Sequence, residues 1–122
     1  MSKNKIYKSL LDLILEPLGD QDFQLRAWDT EIGTVWTDYD EATMSFQEWC
    51  EPILENPKSY DLDKKEIAQL RKLHEMIESY DERVPEHPNA KDHKRILGDP
   101  EWHKIQQLAN QVYHNLKKRA ID

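Results

Sequence analysis

Apolar residues recur at helical spacing along most of this chain. Near the start, Ile6, Leu10, Leu13 and Ile14 fall on one face, and Tyr7, Leu11, Leu15 and Leu18 widen it. This spacing predicts a helix over about Lys5–Leu15. An apolar surface so wide asks for burial on more than one side, in the core or in a homodimer contact through residues 6–15. Pro17 and Gly19 are expected to end the helix, since proline cannot extend the hydrogen-bond ladder and glycine accepts a left-handed turn.

Residues 22–37, DFQLRAWDTEIGTVWT, break the pattern. Phe23, Leu25 and Ala27 alternate with Gln24 and Arg26, and β-branched and aromatic residues surround Gly33. The alternation predicts a short β-hairpin near 23–37, turning at Asp29–Gly33 and lying on the helices, because an isolated two-stranded hairpin is only marginally stable. A run of irregular helical turns is the competing reading.

Helical spacing then resumes. Ser45 with Glu48 forms a capping-box pattern, so a helix is expected to begin there with Phe46, Trp49, Cys50 and Ile53 inward, and to kink or restart at Pro52. Asp63 with Glu66 is a second such box, opening the clearest helix, about Lys64–Arg83, on Ile67, Leu70, Leu73, Ile77, Tyr80 and Val84. A loop follows from Pro85, then a short helix at about Asp92–Leu97. Asp99-Pro100-Glu101 signals a last helix, with Asp99 as N-cap, Pro100 in the first turn and Trp102, Ile105, Leu108, Ala109, Val112 and Leu116 as its stripe. The whole predicts a mainly α chain, a compact bundle of four to five helices in one domain over 1–122, with the short hairpin added.

Composition sharpens this picture. With 122 residues the chain has room for one hydrophobic core. Its three glycines argue against a loop-rich β fold, and its four tryptophans and five tyrosines argue against disorder. One cysteine, Cys50, excludes an internal disulfide. The first residues are basic and then apolar, but Asp12 and Glu16 interrupt the apolar stretch and no small-residue cleavage site follows, so it reads as a mature helix and a cytoplasmic location is expected. No apolar run is long enough to span a membrane.

Charge is uneven. The net charge is −7, yet Asp20 to Asp63 holds twelve acidic residues and two basic ones, Arg26 and Lys58, a net of −10 that leaves +3 for the remainder. An acidic segment repels nucleic acid and favours a basic protein partner. The residues expected to meet that partner are Asp38, Asp40, Glu41, Glu48 and Glu51, with Trp28 or Trp36 as apolar anchors. Core packing is the competing role for these two tryptophans and the favoured one for Trp49 and Trp102.

Catalytic and cofactor signals fail individually. His103 and His114 lie about 16 Å apart along one helix, too far to share an ion. His87 and His93 beside the loop lack the further ligands that structural zinc takes, so no metal and no cofactor are expected. The Asp38–Glu41 run lacks the glycine and the terminal glutamate of a calcium loop. Gly19, Gly33 and Gly98 cannot build a phosphate loop, and Cys50 falls on an apolar face. The basic Lys117-Lys118-Arg119 end is explained by the helix dipole.

The stretch ILGDPEWHKIQQLANQVYHNL, Ile96 to Leu116, resembles the ending of a family of small uncharacterised bacterial proteins that close with an Asp-Pro-x-Trp helix start and an amphipathic helix. The start here is Asp99-Pro100-Glu101-Trp102, and the preceding helix with Leu70, Leu73 and Ile77 is similar too. In size, acidity and helical makeup the chain also resembles immunity proteins of contact-dependent-inhibition and other polymorphic toxin systems. That resemblance implies binding and neutralising a cognate toxin, often a basic nuclease, and assigns no residues. The expected function is therefore a non-catalytic immunity or inhibitor protein. A self-associating structural or regulatory protein and a small carboxylate-dependent enzyme are the alternatives.

Overall fold

The computed structural model describes residues 5–28, 39–60, 62–86 and 88–121. Among them are six α-helices: α1 (Lys8–Gly19), α2 (Gln21–Ala27), α3 (Tyr39–Glu55), α4 (Lys64–Asp81), α5 (Ala90–Leu97) and α6 (Pro100–Lys117), with a 3-10 turn at Pro57–Tyr60. The chain is a helical bundle. Four helices close a ring in which α1 packs on α6 and α3, and α4 packs on the same two helices. The short α2 and α5 pack on each other, α2 also on α1 and α5 also on α6.

The stop expected at Pro17 and the restart expected at Pro52 are corrected, while α1 does end at Gly19. Pro17 lies inside α1 and Pro52 inside α3. Each leaves the carbonyl four residues earlier without a helical donor. Those carbonyls belong to Leu13 and Glu48, both exposed, where water can replace the donor. The inward face of α1 is Leu11, Leu15 and Leu18, while Leu13 is 73% exposed and Leu10 and Tyr7 also reach solvent.

The N-terminal part of the expected hairpin is helical. Phe23 to Ala27 belong to α2, which Asp20 caps by accepting the Phe23 N–H at 3.0 Å. The rest of that expectation, residues 29–37, lies outside the described residues. The helix expected at Ser45 is already formed at Tyr39, with Tyr39, Ala42, Thr43, Phe46, Cys50 and Ile53 buried along it. Burial of Tyr39 outweighs the local capping signal, and Ser45 sits mid-helix. Thr43 turns its hydroxyl back onto the Tyr39 carbonyl at 2.9 Å, which lets a polar residue sit in a buried helix face.

The two strongest caps are as expected. Asp63 and Glu66 form a reciprocal capping box on α4, and Asp99 accepts the Glu101 N–H at 2.9 Å with Pro100 in the first turn of α6. A third box, Asn89 with Asp92, starts α5 two residues ahead of the expected point. The buried stripe of α6 is Trp102, Ile105, Gln106, Ala109, Val112, Tyr113 and Leu116, with Leu108 partly buried.

Two contacts fix how α1 meets α6. A Cβ added at Gly19 would stand 2.7 Å from the Asn110 backbone nitrogen, closer than real contacts come, so only glycine lets the helices approach this way. At the other end, Lys8 N–H donates to Ile121 O at 2.9 Å and Ile121 N–H to Ile6 O at 3.1 Å. This short parallel bridge ties residues near the two ends together.

A buried glutamine joins three helices. Gln24 on α2 has no exposed surface. Its Nε2 donates to the Pro17 and Leu18 carbonyls at 2.9 and 2.8 Å, capping the end of α1. Its Oε1 accepts from Trp102 Nε1 at 2.9 Å and Gln106 Nε2 at 2.6 Å, both on α6. A primary amide offers two donors and two acceptor lone pairs, and all are used. Turned over, the amide would point its own N–H groups at those two donors, so the network fixes its orientation.

Candidate functional site

Most of the described acidic residues between Asp20 and Asp63 lie on α3. Tyr39, Phe46, Cys50 and Ile53 turn inward, which sends Glu41, Met44, Glu48, Glu51 and Glu55 outward, and all five are exposed. Their spacing of three, four, three and four residues makes one stripe along the helix. Met44, at 56% exposure, is an apolar group within it. Asp40 is half-buried at the start of the helix. Four of the residues expected to meet a partner, Asp40, Glu41, Glu48 and Glu51, thus lie on α3. Trp36 and Asp38 lie outside the described residues.

Trp28 is corrected as an anchor, since it is 1% exposed and fills the core. It packs with Tyr39, His93 and Trp102 at ring-centre distances of 6.2, 5.8 and 5.8 Å. Trp102 is fully buried, and Trp49 is half-buried against Phe46, so both take the packing role expected of them. Met44 is the exposed apolar side chain of the stripe instead. Its outward position depends on the helix starting before Ser45, and so could not be read from the Ser45 box.

The aromatic core is pinned to carboxylates at its edge. Tyr39 OH donates to Asp81 at 2.9 Å and Tyr80 OH to Asp99 at 2.8 Å. Burial, and then the adjoining carboxylate, pushes both phenols above the ordinary tyrosine value. Asp99 is held below the usual carboxylate range by the Glu101 N–H and then by Tyr80. His93, beside the loop in sequence, is buried too. Its Nε2 accepts the Tyr39 N–H at 3.4 Å, while its Nδ1 and the Trp28 Nε1 have no hydrogen-bond partner.

A second polar group joins α1 to α6. Tyr113 OH donates to Asp12, stands 3.1 Å from Glu16 and accepts from Lys117 Nζ at 2.8 Å. The tyrosine, and then Lys117, holds Asp12 below its usual value, and the tyrosine, and then Asp12, raises Lys117. Asp12 and Asp99 both move down, opposite to the direction a general acid requires. Cys50 is fully buried, and burial pushes its thiol up to about 12, leaving it protonated and unreactive.

One group has the composition of a metal site. Glu51 on α3 faces His74 and Glu78 on α4, and one donor atom from each lies within 4.8 Å of the others. His74 Nδ1 is 3.3 Å from Glu78 and Nε2 is 3.6 Å from Glu51. The latter separation is too long for a hydrogen bond, which leaves Nε2 buried and unbonded. The sequence signal for part of this group is the four-residue spacing of His74 and Glu78. Nothing in the sequence brings Glu51 to them.

Among the described residues no helix is long and apolar enough to cross a membrane. Comparison with known protein families, curated proteins and solved structures finds no match to this chain.

Proposed function

We propose that the protein is a non-catalytic binding module, an acidic inhibitor of the immunity type that covers a basic site on a cognate toxin. The observation that carries the proposal is the outward stripe of α3, Glu41, Met44, Glu48, Glu51 and Glu55. The C-terminal end of the stripe works against its own helix. Glu51 and Glu55 are like charges one turn apart, a pairing that costs a helix about 0.2–0.5 kcal/mol. They also sit in or beside the last turn of α3, which has no basic residue, where the dipole disfavours negative charge. Charge held against local preference, with an exposed methionine inside it, fits a surface kept for an external basic partner. The glutamates would speed encounter and set specificity, and desolvated Met44 would slow release. Such an inhibitor would act in the cytoplasm of the cell that makes it.

The test is binding to the product of the neighbouring reading frame, followed kinetically at increasing salt. Association should slow as salt rises, and Glu41→Lys with Glu48→Lys and Glu55→Lys should slow it by about tenfold or more. Association indifferent to both salt and charge reversal would overturn the proposal.

A second reading, self-association, is favoured by a different face. Tyr7, Leu10 and Leu13, at the start of α1, are 40%, 38% and 73% exposed. Light scattering should then give a mass that rises with concentration and falls back to one chain in Leu13→Glu. A strict monomer at the highest reachable concentration excludes it.

A further inference from the structure

We infer that Glu51, His74 and Glu78 form a binding site for one divalent transition-metal ion of the Zn²⁺ class, stapling α3 to α4. His74 and Glu78 are one turn apart on α4 and present their side chains on the same side of that helix. Glu51 comes from the facing helix, so three donors from two elements converge within 4.8 Å.

Between Glu51 and His74 the spacing suits an ion better than it suits the contact it replaces. Zinc–nitrogen and zinc–oxygen bonds of about 2.1 Å at tetrahedral angles place neighbouring donors about 3.4 Å apart. Glu51 Oε1 and His74 Nε2 are 3.6 Å apart, beyond hydrogen-bonding reach and within an ångström-scale adjustment of that value. The unbonded Nε2 is a second and independent sign. A buried imidazole nitrogen without a partner is costly, and a metal bond would satisfy it. The two carboxylates are more than half exposed, at 58% and 57%, so their ends can swing onto a common centre without disturbing the core.

One nitrogen and two carboxylate oxygens select the metal class. The imidazole favours zinc, nickel or copper over magnesium, which prefers all-oxygen sites. Three protein ligands leave the remaining positions to water. Glu51 also belongs to the proposed docking stripe, but metal binding is a property of the isolated chain, so the two proposals fail separately.

The experiment is titration of the purified, tag-free protein with ZnCl₂ and, in parallel, MgCl₂, read by calorimetry and by amide chemical shifts. One Zn²⁺ should bind per chain, with shifts centred on Glu51, His74 and Glu78, and Mg²⁺ should not compete. His74→Gln should weaken zinc binding by at least about tenfold, and Glu51→Gln and Glu78→Gln should each weaken it too, while His103→Gln should not. Circular dichroism of the two glutamate variants, both altered at exposed side chains, should stay unchanged. Zinc binding that survives His74→Gln, shifts centred on other histidines, or no zinc binding at all would overturn the site and leave the three residues as a polar contact between helices.

Discussion

Replacing Gln24 by Met tests whether a single amide organises the joint of α1, α2 and α6. Methionine nearly matches glutamine in length and volume, so packing is conserved while four hydrogen bonds disappear. The Trp102 Nε1–H, the Gln106 amide and the Leu18 carbonyl would remain buried without partners. The Pro17 carbonyl is only partly buried and keeps a long contact from Asp20 N–H at 3.5 Å, so it adds little. An orphaned buried polar group costs about 1–3 kcal/mol. Three of them, at the lower end because Gln106 can turn, give a loss of about 3–4 kcal/mol. For a chain of this size that is a drop of about 10–15 °C in melting temperature. Urea unfolding followed by tryptophan fluorescence and circular dichroism would measure it. The network makes a sharper claim through Gln106→Met. Removing Gln106 also removes one of the orphans, so the double variant should be less destabilised than the sum of the singles by about 1 kcal/mol. A loss below about 1 kcal/mol for Gln24→Met, or strict additivity in the cycle, would refute the reasoning.

Other outcomes follow from the same contacts. Gly19→Ala should destabilise by about 1–3 kcal/mol, because the new methyl meets backbone that cannot swing away; an unchanged urea midpoint would show that α1 and α6 separate freely. Cys50 should resist thiol reagents at pH 8 in the folded protein and react at once in denaturant, and modification of the native protein within minutes would contradict its burial. Asp99 is held below its ordinary value of 3.8, so its charge stabilises the fold above that pH and the benefit is lost as pH falls through the lowered folded value. Asp99→Asn should therefore be less stable than the parent at pH 7, with the gap closing below about pH 4; a gap that is constant with pH would exclude the carboxylate as its cause.

The parts of the fold legible in the sequence are those whose signal is local. The Asp63 box and the Asp99-Pro100 start combine capping chemistry with apolar periodicity, and both helices begin where these place them. The misread elements are those decided by distant partners. Ser45 and Glu48 make a plausible box, yet Tyr39 is drawn into the core against Trp28, Tyr80 and Trp102, and the helix starts by then. Phe23, Gln24 and Leu25 look like alternation along a strand because the buried member of the set is the polar one, Gln24, whose partners lie up to 82 residues away. Pro17 looks like a stop, and Pro52 like a kink or a restart, because nothing local shows that the carbonyls they orphan face water. The candidate site divides along the same line. The glutamates of α3 were visible as charge, but their alignment with Met44 needed the true helix phase, and the meeting of Glu51 with His74 needed the packing of α3 on α4.

The turns of α6 at Trp102, Gln106 and Asn110 meet Gln24, Gln24 again and Gly19 in succession. Each of these meetings admits few substitutes: an indole N–H, a carboxamide, a residue without a side chain. Surface glutamates and core leucines can drift among many equivalents, but this ladder cannot drift one rung at a time. Any diverged relative should therefore keep the pattern Gly-x4-Gln followed far downstream by Trp-x3-Gln, even where overall similarity has faded. The pattern offers a way to gather the sequences whose comparison would reveal which exposed residues are also held fixed.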